Sequence, residues 1–106
     1  MSTVPDGADE ARQPELADLV AAAVLSVPGV AGLHTGSFGE VATYLPGRRV
    51  NGVRLREDAT EVHVTLVYGT PVLETAEMIR SAVTPLVTTP VEVSVEDIVP
   101  AGQDPA

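Results

Sequence analysis

Two histidines, His34 and His63, are the only imidazole side chains in this chain of 106 residues, and cysteine is absent. A hydrolytic triad or a metal site built from the usual side chains would have to use one of them. His63 falls on the polar side of a predicted strand, and His34 borders a glycine-containing segment. Neither is followed by carboxylates at the spacing that metal sites use, so we expect both to be surface histidines.

Paired carboxylates are the second group of residues that could perform acid–base chemistry. They occur at Glu57/Asp58, Glu74/Glu77 and Glu96/Asp97. Acids in helix turns and at strand ends are normally solvated or cap a helix, and no segment joins a nucleophile, a base and an orienting group. The sequence therefore predicts no catalytic residue, no cofactor and no metal ligand.

The string Gly36-Ser37-Phe38-Gly39-Glu40-Val41 resembles most of the glycine-rich loop that protein kinases fold over ATP phosphates. The first glycine of that loop would fall on His34, and the lysine that kinases place on a following strand is missing because the chain has no lysine. The helix that follows a phosphate loop or a dinucleotide loop is not predicted here either. We expect a tight connection whose glycines supply backbone freedom.

The charge balance excludes further classes of function. Fifteen acids against six arginines give a formal charge of −9. Nucleic-acid-binding modules depend on a basic face, and anionic membrane surfaces repel an acidic protein. The absence of lysine also excludes a Walker phosphate loop and a pyridoxal Schiff base.

The segment from Phe38 to Arg49 is the best candidate for a partner-binding surface. It holds two of the three aromatic residues and two of the six arginines of the chain. Aromatic side chains and arginine are enriched at the centres of protein–protein contacts. The predicted contact residues are Phe38, Tyr44, Leu45, Arg48 and Arg49. The alternative is that Phe38 and Tyr44 pack inward and hold the loop.

Two helices are predicted from apolar residues at three- and four-residue spacing. The first ends at Pro28-Gly29 and buries a stripe formed by Leu16, Leu19, Val20, Ala23, Val24 and Val27. The second begins with Thr70 as N-cap and Pro71 in the first turn, and it should end or kink near Thr84 because Pro85 cannot donate a backbone hydrogen bond. Its predicted buried stripe is Val72, Ala76, Ile79 and Val83.

Strands are predicted between and after the helices. Val30 to Leu45 reads as one or two short strands around the glycine loop, and alternation at 53–56 and 62–68 predicts an antiparallel hairpin. A last strand alternates valine with polar residues and ends near Val99. We therefore predict an α+β fold in the order helix, strands, helix, strand. Two helices cover one face of a small mixed or antiparallel sheet of three to four strands. The other face would be solvated and carry Arg54, Arg56, His63, Thr65, Glu92, Ser94 and Glu96.

Residues 14–99 are predicted to form the single domain. Residues 1–13 and 100–106 lack apolar periodicity and are predicted to be disordered tails, the first of them acidic. The N-terminal stretch carries acids where a secretory signal would carry basic and apolar residues, so a cytoplasmic location is expected.

Over residues 15–99 the chain resembles the alkaline-shock-protein family, the envelope stress response proteins of Gram-positive bacteria, as a short variant. The motifs that carry the resemblance follow one another in a shared order: Pro28-Gly29-Val30-Ala31-Gly32-Leu33, Gly39 to Val50, Gly52-Val53-Arg54, Val67-Tyr68-Gly69 and Ile79-Arg80. The chain departs from longer members at Thr88-Thr89-Pro90, where they carry a glycine-containing connection, and it lacks the lysine-rich tails of some members.

The resemblance implies a non-enzymatic interaction or scaffold module at the cytoplasmic side of the cell envelope. Its partner would be a membrane-anchoring protein or another copy of itself, and it would reach the membrane through that partner without inserting. The competing prediction is a small ligand-binding or hydrolytic domain that uses the cleft near the glycine loop and His34 or His63. A regulatory subunit encoded beside an enzyme is a third possibility.

Overall fold

The computed structural model of the protein describes residues 15–102. The tail predicted at 1–13 and residues 103–106 of the second predicted tail lie outside this range. Residues 100–102 are exposed and end in a turn after the last strand. No helix among the residues from 15 to 102 is long and apolar enough to cross a membrane.

The central strand of the main sheet is β5 (Thr60–Val67). Two strands share one of its edges: β1 (Val30–Leu33) pairs antiparallel with its second half, and β4 (Val53–Leu55) pairs antiparallel with its first half. The last strand, β6 (Val91–Val99), pairs in parallel along the whole of the other edge. The sheet is therefore mixed and four-stranded, and the predicted hairpin of β4 and β5 is confirmed.

A separate two-stranded ribbon lies outside the main sheet. It consists of β2 (Ala42–Leu45) and β3 (Arg48–Asn51), joined by the two-residue turn Pro46-Gly47. Pro46 favours the first turn position, and Gly47 takes a φ of 77° that a left-handed turn residue needs. The sequence predicted a single sheet. That prediction is incomplete, because β2 and β3 pair with each other and with no strand of the main sheet. The hydroxyl of Thr43 fastens the ribbon to β4 by donating to the Val53 carbonyl at 2.6 Å.

Two helices cover one face of the main sheet, as predicted. They are α1 (Leu16–Leu25) and α2 (Val72–Val83), and a short 3₁₀ turn at Thr84–Leu86 follows α2. The predicted end of the second helix near Thr84 is confirmed. The predicted cap is wrong by one residue, since Pro71 occupies the N-cap position and no side chain caps this helix.

The core lies between the helices and the inward face of β5. Val62, Val64 and Leu66 are fully buried there, against Ile79 and Val83 of α2 and the inner face of α1. Complete burial of each such aliphatic side chain contributes about 1.5–3 kcal/mol.

The buried face of α1 differs from the predicted stripe. Leu16 and Leu19 are exposed, and the residues that meet the sheet are Ala17, Val20, Ala21 and Val24. These positions also follow the three- and four-residue spacing of a helix face. Alanine at two of them lets the helix lie close to the sheet, which leaves the larger leucines at the margins. In α2, Thr75 takes the buried place predicted for Val72, which is exposed.

Candidate functional site

The end of β1 and the start of β4 meet beside His63, the middle residue of the outward face of β5. A series of backbone hydrogen bonds defines the junction: His34 N–H donates to the His63 carbonyl at 2.8 Å, and His63 N–H donates to the Gly52 carbonyl at 2.9 Å. Gly52 N–H in turn donates to the Val41 carbonyl at 2.8 Å, and Val41 N–H donates to the Thr35 carbonyl at 2.9 Å. Backbone hydrogen bonds therefore hold the glycine-containing loop and the main chain of both histidines at this junction.

Gly52 makes this junction possible. Its φ is 81°, and a Cβ atom there would lie 2.7 Å from the Cβ of Leu33 and 3.0 Å from the His63 carbonyl oxygen. Only glycine combines this backbone angle with so close an approach of two neighbouring segments.

A charged network occupies the outward face of the sheet, centred on Glu61. Arg54 Nη2 donates to Glu61 Oε1 at 3.1 Å, and Arg56 Nη1 donates to Glu61 Oε2 at 2.6 Å. The side chain of Glu61 keeps only 11% of its surface exposed. The prediction of a solvated face is therefore wrong at this point, because the carboxylate is enclosed by its own partners, and it is also wrong at Thr65, which is 1% exposed.

The surroundings of Glu61 favour its charged form. Burial opposes ionisation, but hydrogen bonds from Arg54 and His63 and the charges of Arg54 and Arg56 outweigh burial, so the pKa of Glu61 is lowered from its ordinary value of 4.5. One donor of the network, Arg54 Nε, is buried without a hydrogen-bond partner among the residues described.

His63 links this network to the last strand. Its Nδ1 lies 2.6 Å from Glu96 Oε2, and its Nε2 lies 3.4 Å from Glu61 Oε1. Glu96 is the extra residue at an irregularity in the pairing of β5 with β6, where Val64 pairs with Val95 and Thr65 with Asp97. Such a bulge re-aims a side chain, and here a carboxylate reaches the imidazole.

The arrangement around His63 does not match that of a hydrolytic base. Ser94 lies opposite His63 in the strand register, where a nucleophile could stand. A triad needs one ring nitrogen at an acid and the other at the nucleophile, whereas here both nitrogens face carboxylate oxygens. His34 is also engaged, since Gly36 N–H donates to its Nδ1 at 2.9 Å.

Glu61 is the residue that sequence reasoning missed. It lies two positions before His63 and therefore shares its face of the strand. Glu61 faces outward, as do Arg54 and Arg56 on the neighbouring strand of the predicted hairpin. The expected cross-strand pairing could therefore have revealed the ion pairs of Glu61 with the two arginines.

The pleat of the β2–β3 ribbon divides the predicted partner-binding residues into two groups. Tyr44 lies directly opposite Arg49, and both are exposed, Tyr44 by 67%. Leu45 lies opposite Arg48 on the other face, where Leu45 packs against the core. Phe38, on the preceding loop, is 90% exposed. Phe38, Tyr44 and Arg49 form what we term the exposed aromatic set, and the alternative of inward packing for the two aromatics does not describe this structure.

Arg48 holds the ribbon to α1 instead of facing outward freely. Its guanidinium donates two hydrogen bonds to the carboxylate of Asp18, at 2.9 Å and 2.8 Å. This fork is the geometry that arginine and carboxylate prefer. Asp18 also accepts from the backbone N–H of Glu15 at the start of α1. The hydrogen bond from Arg48 lowers the pKa of Asp18 below its ordinary value.

Neither histidine lines any of four surface cavities, of about 220 to about 530 Å³, formed by residues between 15 and 102. The described part of the chain contains no group of three or more histidines and acids able to hold a metal ion. No protein-family model matches the chain, and no curated protein or solved structure matches it.

Proposed function

We propose that the protein is a non-enzymatic interaction module of the alkaline-shock type, acting at the cytoplasmic side of the cell envelope. The observation that carries the proposal is the exposed aromatic set. Large aromatic side chains are costly to leave in water, and Tyr and Arg are among the residues enriched in binding hot spots. Tyr44 and Arg49 stand on a ribbon that is fastened to the domain through Thr43 and Arg48, so this part of the surface is preorganised, and Phe38 lies on the loop that precedes the ribbon.

The engagement of His63 supports a non-enzymatic role. Its two nitrogens face Glu96 and Glu61, which leaves neither available to take a proton from a nucleophile. The His63–Glu96 contact is also the one observation that favours the hydrolytic alternative. Ester hydrolysis by the natural chain that is lost when His63 is replaced would support the hydrolytic alternative. In the Glu61→Gln variant, His63 Nε2 would face an amide instead of a carboxylate.

The proposed partner is a membrane-anchoring protein or a second copy of this chain. The test is quantitative crosslinking and capture from the native host, combined with sedimentation of the isolated protein. We expect the double variant Tyr44→Ala, Arg49→Ala to lose capture of the partner by about 30-fold or more, since a hot-spot pair contributes about 2 kcal/mol or more.

The matched control is Tyr68→Ala, which removes the other exposed tyrosine, located just after β5. Capture that falls equally in both variants, or that persists in the double variant with its fold intact, would reject the proposal. Loss of self-association in the double variant would identify the partner as another copy.

A further inference from the structure

A groove runs between the C-terminal turn of α1 and the exposed side of α2. Two cavities form it, of about 530 Å³ and about 320 Å³, and both are lined mostly by apolar atoms. They share Pro28 on one wall and Met78 on the other. We refer to this continuous depression as the helix groove.

The sequence of α2 explains why the groove is open. The buried stripe of the helix is Thr75, Ile79 and Val83, whereas Glu74, Met78 and Ser81 form the adjacent stripe at the spacing of a helix face. Met78 is 47% exposed. An unbranched thioether side chain adapts to differently shaped apolar partners. Along α2 the residues that line the two cavities extend from Pro71 to Ala82, a helical rise of about 16 Å, so the groove follows most of this helix.

The electrostatics of the helix groove favour a cation. Glu74 lies on its rim and forms no ion pair with any residue between 15 and 102, while Glu77 is paired with Arg80. The opposite wall is the C-terminal end of α1, which carries the negative end of that helix dipole and has no basic residue in its last turn. Its last carbonyls already accept hydrogen bonds from Ser26 and Val27, so Glu74 supplies the main negative charge, and it exceeds the partial positive charge at the start of α2.

From this combination we propose that the helix groove binds a cationic amphipathic helix of a partner protein. The apolar floor would take the leucine-like side chains of one helix face, and Glu74 and the end of α1 would take the lysine or arginine residues that flank it. A helix of a second copy is a poor occupant of this groove because neither described helix is cationic: α1 carries only Asp18, and α2 carries Glu74 and Glu77 against Arg80. This surface is built from other residues than the exposed aromatic set, so the inference does not depend on the proposed function.

The test uses a fluorescein-labelled model peptide of leucine and lysine, about 12–14 residues long, with leucines at i, i+3 and i+4. Fluorescence anisotropy measures its Kd for the natural chain and for Ser81→Arg, which places a positive charge in the groove at an exposed position. We expect Ser81→Arg to raise the Kd about tenfold, because an introduced like charge repels the peptide. Amide chemical-shift changes on peptide addition should centre on Ser26, Met78 and Ala82.

The matched control is Ser37→Arg, which makes the same substitution at an exposed loop residue outside the groove. An equal rise in Kd for both variants would show attraction by net charge alone and overturn the inference. Equally tight binding of a scrambled peptide of the same composition would also overturn it. A second titration uses vesicles that contain cationic lipid. Amide chemical-shift changes in the helix groove that the vesicles produce and the peptide does not would assign the surface to lipid and overturn the inference.

Discussion

Glu61 lies on the outward face of the central strand with most of its surface removed from water. Its neighbours determine how much this burial lowers the stability of the fold. A buried carboxylate without partners would be strongly destabilising. Two guanidiniums and an imidazole supply hydrogen bonds to its two oxygens, so the charge is retained. Arg54 and Arg56 are more exposed than Glu61, and solvent weakens their contribution.

Glu61→Gln should therefore destabilise the fold by about 1–2 kcal/mol at neutral pH. Because the folded state lowers the pKa of Glu61, its contribution is complete above the ordinary value of 4.5 and is lost as the pH falls through the lower folded-state value. Urea unfolding of the natural chain and the variant should show a difference that narrows in acid. The control Glu92→Gln, at an exposed acid of β6, should change stability by less than about 0.5 kcal/mol. A difference for Glu61→Gln that stays constant across this pH range would contradict the assignment.

At this scale the sequence predicted which residue types face outward but not which of them meet. Alternation placed Arg54, His63 and Glu96 on one face, and they are in the network. The contact of Glu96 with His63 depends on a bulge, and no residue type in β6 marks that irregularity. The exposure of Tyr44 likewise depends on how the ribbon lies against α1, which is a tertiary property.

The junction at Gly52 is the element on which the sheet depends most. Along one edge of β5, strand β1 ends where strand β4 begins. Gly52 connects β3 to β4 at this place, and its lack of a side chain allows the chain to lie against the end of β1. Any larger residue would have to separate these backbones.

Gly52→Ala should cost about 3 kcal/mol or more, the sum of left-handed strain and overpacking. Gly47→Ala is the matched control, since Gly47 has a similar φ of 77° but no atom within 4 Å of the position of an added Cβ. It should cost about 1 kcal/mol, from strain alone. Thermal or urea unfolding measures both. Equal losses for the two variants would show that close packing at Gly52 contributes nothing.

Element positions and types were the most predictable part of the fold. Periodicity located both helices, the β4–β5 hairpin and the last strand, because burial of one face imposes it. It did not distinguish Ala17 and Ala21 from Leu16 and Leu19 as the buried side of α1, since both sets fit a helical period. The one or two short strands predicted within Val30 to Leu45 correspond to β1 and β2. The strand β3 and its pairing with β2 escaped prediction because a four-residue strand carries too few alternating positions.

At the scale of the whole molecule, a chain with a net charge of −9 presents two surfaces of different chemistry. The exposed aromatic set offers tyrosine, phenylalanine and arginine, whereas the helix groove offers an apolar floor beside an acid. A module with both could hold two partners at once, which is what a scaffold requires.

The same net charge leads to a prediction about lipids. The isolated protein should not sediment with vesicles of anionic lipid at physiological salt, because an acidic surface is repelled by the leaflet. Neutral phosphatidylcholine vesicles serve as the control. Strong, salt-sensitive sedimentation with the anionic vesicles alone would show that the arginines between 48 and 56 act as a membrane patch.

The parallel pairing of β5 with β6 has a consequence for synthesis on the ribosome. One edge of β5 can pair as soon as the strand emerges, since β1 and β4 precede it. The other edge stays open until α2 and β6 have also emerged. During that interval a β-branched segment with a single acid, Thr60–Val67, presents an unpaired edge to other nascent chains. Translation pauses before β6 would prolong this exposure, so the yield of folded protein should depend on the speed at which the codons of α2 and β6 are read.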